Sequence, residues 1–314
     1  MNAIKNQQRI SSAVFLGSKK LGLAVIKSLI SVSPDIKWTI IHPDDSNDAR
    51  SNLKDFEKFA KLHKLDLKVA PSSAATKQLL FDIKPDIGIV SGWYTLLDNT
   101  TLSYVKKGLW GIHNSLLPKY RGCSPLVWSI INGDLSVGCS VFRISEGMDD
   151  GEIAHQVIVD NTSDDDIHSI LKKIESKLIL ELPSVWQTLL SGDGSFISQV
   201  ESEATYCGQR VACDGLIDWR QPAEYIHNFI KAQSRPYPCA FSYLNGEKVL
   251  FLKSRSNELQ YFGTPGQVLK RNLDSALVSC GNNTAIEILR IEVNNKEVSV
   301  VDMFRSIKDR LTSA

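Results

Sequence analysis

Three features that would direct a chain to a membrane, a metal ion or a polyanion are missing from this sequence. No segment of the 314 residues is as long and apolar as a membrane span, and the N-terminal MNAIKNQQRI lacks the apolar core of a secretory signal. The six cysteines include no CxxC pair, which favours free thiols over disulfides or a zinc site. A formal net charge of +1 gives no bulk attraction for nucleic acid. We therefore expect a cytoplasmic protein that binds neither a metal nor a membrane.

The sequence also lacks both of the usual nucleotide-binding loops. GSKKLG (17–22) fits neither GxxxxGK[ST] nor GxGxxG, so we interpret it as a glycine turn into the first helix. Between residues 13 and 113, short apolar runs such as AVFLG and DIGIVSG instead alternate with helix-like segments. This alternation predicts an α/β fold with a mostly parallel sheet and helices on both faces. Ligands of such sheets bind outside the carboxyl ends of the strands.

The pattern changes in the second half of the chain. A long helix is predicted over about 163–190, with Pro183 expected to kink or break it. The polar, glycine-containing stretch 191–205 is typical of a domain boundary. Several short strands follow without long helices between them, which predicts a small antiparallel barrel or sandwich. We therefore divide the chain into domains 1–200 and 201–314.

The stretch GLWGIHNSLLPKYRG (108–122) ends an apolar run in a histidine, His113. A lone histidine of this kind either bonds to the nearby backbone or acts as an acid–base group. Asp149, on the glycine turn of GMDDGEI, favours the second interpretation because it can approach from a neighbouring strand end. A carboxylate stabilises the imidazolium form, and a positioned acid–base group typically contributes about 10²–10⁴ in rate. SGWYTLL (91–97) is either a strand exit with aromatic packing or a wall for a flat apolar ring.

Several of these segments together resemble one enzyme family. HNSLLPKYRG is followed by ING and MDDGEI, and later by CDGLIDW and IHNFIKAQSRPYPCAFSYLNGEKV. This order resembles the formyltransferases that use 10-formyltetrahydrofolate, and it extends over roughly residues 11–295. The nearest subgroups by pattern are the nucleotide-sugar N-formyltransferases and methionyl-tRNA formyltransferase. The resemblance implies a Rossmann-like first domain, an OB-like β-barrel as the second, and no metal.

The resemblance also implies roles for individual residues. His113 would accept the proton of the attacking amine and stabilise the developing oxyanion. Asp149 would maintain the protonation state and the orientation of the His113 ring. Folate would be bound by Thr95, Leu96, Leu97, Leu117, Pro118, Ser145, Glu146, Gly147, Met148 and Asp149. Substrate would be contacted by Trp93, Tyr94, Ser115, Lys119, Tyr120 and Arg121.

Three positions depart from the family pattern. The family usually has asparagine two residues before the histidine, as an oxyanion donor, and this chain has Gly111. The loss of one such donor costs about 10²–10³ in rate, and Asn114 should point to the other side of an extended chain. Hydrolysis of the formyl donor, or a catalytically weakened binding module, therefore stays open. Cys123 replaces an arginine of some sugar-specific relatives, and Cys239 replaces the glycine of PYPGAF.

The region after the second strand bears on the acceptor. Methionyl-tRNA formyltransferases carry a basic, glycine-containing insertion there, whereas this chain has HPDDSNDARSNLKDFEKFAK (42–61). A tRNA-binding surface normally needs concentrated positive charge. We therefore predict an enzyme that formylates a nucleotide-linked amino-deoxy sugar for surface polysaccharide. Within that class, the predicted acceptor is a dTDP-4-amino-4,6-dideoxyhexose. Methionyl-tRNA is the alternative acceptor, and a homodimer is possible.

Overall fold

The computed structural model describes residues 10–46, 48, 51–257 and 259–312, which form two compact units. The first unit consists of the chain up to Arg121 together with Gly138–Val157 and Ile174–Thr205. The second consists of Gly122–Val137, Ile158–Lys173 and the chain from Tyr206 onward. The second unit thus takes in two segments that precede residue 200. The predicted domain division stays a prediction.

Sixteen strands and eight α-helices make up the described chain. The strands are β1 Ser12–Gly17, β2 Lys37–Pro43, β3 Asp66–Ala70, β4 Ile87–Ser91, β5 Leu109–His113, β6 Arg121–Gly122, β7 Ser136–Arg143, β8 Ile153–Asp160, β9 Tyr206–Cys207, β10 Ala240–Leu244, β11 Glu247–Asn257, β12 Val268–Arg271, β13 Ala276–Ser279, β14 Ala285–Val293, β15 Lys296–Val298 and β16 Leu311–Thr312. The helices are α1 Lys19–Val32, α2 Leu53–His63, α3 Ser73–Ile83, α4 Asn99–Leu102, α5 Pro125–Ile131, α6 Ile167–Ser191, α7 Ala223–Gln233 and α8 Val300–Met303. None of these helices is both long and apolar enough to cross a bilayer.

The first sheet has the strand order β3-β2-β1-β4-β5-β7-β8. Strands β3, β2, β1, β4 and β5 are parallel, and β7 runs antiparallel to β5. The apolar runs of β1 and β4 are almost entirely buried, as expected for central strands covered on both faces. The order reverses at β1, which is where such sheets open a crevice for ligands. The predicted Rossmann-like α/β fold is confirmed.

Two local expectations differ from the structure. Helix α6 continues through Pro183 to Ser191 and is not broken there. Proline contributes no N–H to the helix, but buried Leu182, Val185 and Trp186 on both sides of it pack the helix into the core. The sequence pattern does not predict strand β8, because IAHQVIVD mixes polar and apolar residues without a clear period.

The second unit contains an antiparallel sheet in the order β12-β13-β14-β11-β10-β16, with β15 paired to β14. The β11–β14 pairing has register shifts near Lys253, which bend the strands. The predicted OB-like second architecture is confirmed in this antiparallel, curled form. Cys239 has a φ of +71°, so the position where the family pattern has glycine adopts a glycine-like backbone.

A buried histidine should make the second unit sensitive to mild acid. His227 contacts the Ser163 carbonyl through Nε2 (3.1 Å) and the Ser254 hydroxyl through Nδ1 (3.0 Å). Burial, aided by the charge of Lys231, lowers the pKa of His227 below its usual 6.5 despite the Ser163 carbonyl. The folded chain therefore favours the neutral ring. The contribution of this preference to the free energy of unfolding is present above about pH 6.5 and is lost as the pH falls below it.

We expect the unfolding midpoint of the wild type to fall more steeply between pH 7.5 and 5.5 than that of His227→Gln. The slopes of the free energy of unfolding against pH should differ between the two proteins by at most about 1.4 kcal/mol per pH unit, the value for one proton. Denaturant unfolding at several pH values measures it. His168→Gln, at an exposed histidine of α6, is the matched control and should keep the wild-type slope. Equal slopes for wild type and His227→Gln would contradict the prediction.

Candidate active site

His113 is the last residue of β5 and lies opposite Ser140 of β7. Its Nε2 is 2.8 Å from the carbonyl oxygen of Tyr120. Because a carbonyl only accepts, Nε2 carries a proton and donates it to this bond. Nδ1 is 3.6 Å from Oδ2 of Asp149, and the two side chains are 10% and 22% exposed. The structure therefore brings the two predicted catalytic residues together, with Nδ1 as the ring atom that faces the carboxylate.

Asp149 belongs to the loop between β7 and β8 and has a φ of +52°. A left-handed conformation is unusual for a residue other than glycine, and it persists where the surroundings fix it. Gln199 fixes this loop, since its Nε2 donates to the carbonyls of Asp149 (2.8 Å) and Gly151 (2.7 Å). The Oε1 of Gln199 accepts from Nε of Arg121 (3.1 Å), and Nη1 of Arg121 pairs with Glu201 (2.8 Å).

The Leu-Leu-Pro corner after His113 is held by two polar side chains. Ser140 donates its hydroxyl proton to the Ser115 carbonyl (2.7 Å) and accepts from the Leu117 N–H (3.1 Å). Gln156 donates to the Leu117 carbonyl and to the Ser140 hydroxyl, each at 2.9 Å. The Leu117 side chain is buried against Phe142 and Ile153, and Pro118 follows in a cis peptide. The corner is thus fixed at both backbone and side chain.

The residues predicted to bind folate come from two loops and this corner. Thr95, Leu96 and Leu97 follow β4, and Ser145 to Asp149 follow β7. Asn99 donates to Glu146, which links the two loops. The Leu97 side chain is buried in the core, whereas Leu96 and Met148 are 73% and 47% exposed.

Exposed apolar side chains on two linked loops fit a flat aromatic cofactor, because its rings need apolar walls. The buried indole Nε1 of Trp93 has no hydrogen-bond partner within the described chain, which leaves one donor for a polar edge. Where the structure describes the chain, no group of three or more His, Cys, Asp or Glu side chains is placed to hold a metal ion.

The residues predicted to contact substrate divide by exposure. Tyr94 and Lys119 are exposed, while Trp93 and Tyr120 are partly buried. Ser115 and Arg121 are buried, at 2% and 1% exposure. The guanidinium of Arg121 is directed to Gln199 and Glu201, so the structure gives it a supporting role in the Asp149 loop. At the surface, a substrate could therefore contact Trp93, Tyr94, Lys119 and Tyr120 but not the side chains of Ser115 and Arg121.

Gly111 faces Phe142, its register partner on β7. A Cβ atom added to Gly111 would lie 2.5 Å from Cδ1 of Ile144 and 2.7 Å from Cε1 of Phe142. Phe142 is 3% exposed, and its ring meets that of His113 edge-on at a centroid distance of 6.2 Å. The space beside Gly111 is therefore filled by apolar side chains.

Two acidic residues after β2 form ion pairs with a lysine at the start of α1. The Lys19 ammonium is 2.8 Å from both Asp45 and Asp48, and lies 5.7 Å from the centre of the Tyr94 ring. Burial alone would lower the pKa of Lys19, but the hydrogen bonds to the two carboxylates outweigh it and raise that pKa. These three side chains at the ends of β1 and β2 carry a net charge of −1, so they form no basic surface there.

The sequence-based prediction missed the supporting side chains Ser140, Gln156, Gln199 and Thr205. Gln199 and Thr205 lie outside the stretches that resemble the family motifs, and serine, glutamine and threonine are common on surfaces. The only available signal was the polar character of residues 191–205, which we interpreted as a domain boundary. The first unit does end at Thr205, but this stretch also contacts the candidate site.

Comparisons with known proteins agree with this architecture. The model of the family described as "Formyl transferase" matches residues 14–183, and that described as "Formyl transferase, C-terminal domain" matches residues 211–308. The bifunctional polymyxin resistance protein ArnA of Wigglesworthia glossinidia brevipalpis is 32% identical over 86% of this chain, which spans 41% of that protein. Methionyl-tRNA formyltransferase of Enterococcus faecalis is 27% identical, over 94% of this chain and 95% of that protein.

A solved structure has the same fold. It is an N-formyltransferase from Helicobacter canadensis in complex with folinic acid and dTDP-3-aminofucose, with a TM-score of 0.70 and 16% identity. The match covers 89% of this chain and 99% of the other. The chain therefore belongs to the formyl transferase family, whose formyl donor is 10-formyltetrahydrofolate. The predicted family and enzyme class are confirmed.

Proposed function

We propose that this protein transfers the formyl group of 10-formyltetrahydrofolate to the amine of a nucleotide-linked amino-deoxy sugar. The proposed acceptor is a dTDP-4-amino-4,6-dideoxyhexose, the product serves surface polysaccharide synthesis, and the reaction takes place in the cytoplasm. The observation that carries the proposal is the pair His113 and Asp149, 3.6 Å apart at the carboxyl end of β5 in a formyl transferase fold.

The pair supplies the proton transfer that amide formation needs. The folate cofactor, when bound, supplies an activated formyl carbon next to a leaving nitrogen. The Nε2 proton of His113 is committed to the Tyr120 carbonyl, so Nδ1 is the atom that takes the proton from the attacking amine. Asp149 stabilises the resulting imidazolium, and the same proton can then pass to the leaving nitrogen. The exposed Leu96 and Met148 would hold the cofactor, on segments that the buried Leu97 and Leu117 anchor to the core.

The choice of acceptor depends on charge. A tRNA acceptor end brings many phosphates and calls for a basic surface, whereas a nucleotide sugar brings only two. The whole chain has a formal net charge of +1, and the carboxylates Asp45 and Asp48 already neutralise Lys19. Lys119, exposed on the corner after His113, is the side chain that we propose for the diphosphate. These charges support a small nucleotide-linked acceptor.

Hydrolysis of the formyl donor is the second candidate, and Gly111 is the observation that favours it. Without an asparagine at this position, one donor to the developing oxyanion is absent, and apolar atoms fill its place. Water that attacks the formyl carbon would form the same oxyanion, so hydrolysis is tested by supplying the formyl donor with no acceptor.

One assay compares these functions directly. Purified protein receives 10-formyltetrahydrofolate with a dTDP-4-amino-4,6-dideoxyhexose, with the corresponding 3-amino sugar, with methionyl-tRNA, or with no acceptor. We expect tetrahydrofolate release to depend on the aminosugar nucleotide and to match N-formyl sugar formed mole for mole. His113→Asn is the inactive control.

Each other outcome points elsewhere. Tetrahydrofolate release that depends on methionyl-tRNA would identify methionyl-tRNA, and not the aminosugar nucleotide, as the acceptor. Release without an acceptor would establish hydrolysis. No release under any condition would mean a binding module and would contradict the proposal.

A further inference from the structure

Residues 197–205 run past both members of the His113–Asp149 pair, and we name this segment the strap. At its start, Ile197 exchanges backbone hydrogen bonds with Ile153, at 2.8 and 2.9 Å. At its end, Thr205 is the last residue of the first unit. The strap therefore begins beside the strand that follows the Asp149 loop.

On the aspartate side, the strap acts through Gln199. Its two amide N–H groups satisfy the carbonyls of Asp149 and Gly151, and its Oε1 accepts from the buried Arg121. The assignment of the amide is fixed by its partners, because carbonyls only accept and a guanidinium only donates. One side chain thus closes the loop that carries Asp149 and connects it to the strand after the corner.

On the histidine side, the strap acts through Thr205. The Thr205 hydroxyl accepts from the N–H of Tyr120 (2.8 Å), and its carbonyl accepts from the N–H of Arg121 (2.8 Å). Its own N–H donates to the Pro118 carbonyl (3.3 Å). Tyr120 is the residue whose carbonyl holds Nε2 of His113, so Thr205 fixes the group that orients the imidazole.

We propose that the strap is the positioning element of the catalytic pair, with Gln199 and Thr205 as its positioning residues. Asp149 and Tyr120 have φ values of +52° and +59°, a conformation that costs free energy in residues other than glycine. The strap bonds to the backbone of both residues and so opposes their relaxation. It thereby sets the distance between Nδ1 of His113 and Oδ2 of Asp149, and this inference rests on the proposed function.

The first test changes the aspartate side alone. Gln199→Glu keeps an acceptor for Arg121 but replaces the N–H donors by a carboxylate oxygen that repels both loop carbonyls. We expect kcat to fall by about 10- to 100-fold, the range for a catalytic group displaced by up to about 1 Å, with KM changed by less than about threefold. Gln187→Glu is the matched control, since Gln187 is an exposed amide that donates to the Val32 carbonyl. It should keep wild-type kinetics.

The second test uses Thr205. Thr205→Val has the same shape without the hydroxyl and should lower kcat, whereas Thr205→Ser keeps the acceptor and should restore most of it. Nitrogen NMR of the His113 ring reports the same change without turnover. In the wild type and Thr205→Ser, the protonated nitrogen should be Nε2. In Thr205→Val the two ring-nitrogen resonances should move toward each other, because the tautomers become more equally populated.

Wild-type kcat in Gln199→Glu, or equal kcat in Thr205→Val and Thr205→Ser, would overturn the proposal. If the wild type transfers no formyl group to any aminosugar nucleotide, the proposed function fails by itself. The strap is then judged on the ring-nitrogen spectra. An unchanged His113 spectrum in Thr205→Val would overturn it there too, and a shifted one would support it.

Discussion

Replacing His113 by asparagine is expected to lower kcat for formyl transfer by about 10²- to 10⁴-fold, the usual contribution of a positioned acid–base group. The asparagine amide ends near the position of Nδ1 and does not reach the Tyr120 carbonyl, but the hydrogen bonds of Thr205 to Tyr120 and Pro118 still hold the corner. The asparagine side chain therefore removes the ring and leaves the backbone around it supported. It has no basic nitrogen to replace Nδ1, so the proton of the attacking amine has no acceptor. Steady-state kinetics with the aminosugar nucleotide, together with a thermal unfolding curve, measure the effect and exclude loss of fold.

The chain offers a matched control for this variant. His155 also pairs with a carboxylate, Glu181, at 2.7 Å, and both side chains are about one-third exposed. Its imidazole bonds to Glu181 of α6, and the neighbouring Gln156 is the β8 side chain that bonds to the Leu-Leu-Pro corner, so His155→Asn should leave kcat within about twofold. If His113→Asn were as active as His155→Asn, the assignment of His113 as the acid–base group would be wrong.

The sheet and the catalytic pair could be predicted because each depends on a local signal. Buried parallel strands appear in the sequence as short apolar runs, and β1 and β4 match the runs AVFLG and DIGIVSG to within one residue at each end. His113 and Asp149 each stand at the end of such a run, and neighbouring strand ends meet at one edge. The sequence cannot give the register of β5 against β7, which alone determines that Phe142 faces Gly111.

The supporting shell could not be predicted, because its residues are distant in sequence and individually ordinary. Arg121 and Gln199 are 78 positions apart, and nothing near either one indicates the other. The resemblance predicts that Arg121 contacts substrate, whereas in the structure its buried guanidinium bonds to Gln199 and Glu201. Helix α6 shows the same limit, since packing around Pro183 outweighs the local tendency to break.

The second large effect concerns Gly111, where this chain departs from its family. Phe142 and Ile144 fill the space that a side chain at residue 111 would need, and Phe142 is almost fully buried. The Cδ1 atom of Ile144 is the end of a flexible side chain and can move, whereas the Phe142 ring is packed against Leu117 and Ile153. The aromatic ring therefore decides whether an asparagine can be accommodated.

We expect Gly111→Asn to lower the free energy of unfolding by about 1–3 kcal/mol through overpacking. Phe142→Ala should lower it by about 3–5 kcal/mol through the cavity that it leaves. In the double variant the asparagine occupies part of that cavity, so its loss should be smaller than the sum by about 0.5–3 kcal/mol. Denaturant unfolding of the four proteins measures this coupling, and strictly additive losses would show that the two residues do not share the space.

The same four proteins test the chemistry of the missing donor. In the double variant the asparagine amide lies two residues before His113, on the same face of β5. One oxyanion donor contributes about 10²–10³ in rate, so the double variant should have a kcat above that of Phe142→Ala by up to that factor. Comparing it with Phe142→Ala removes the effect of losing the ring beside His113. A double variant that is more stable than Phe142→Ala but no faster would show that this chain stabilises the oxyanion with another group.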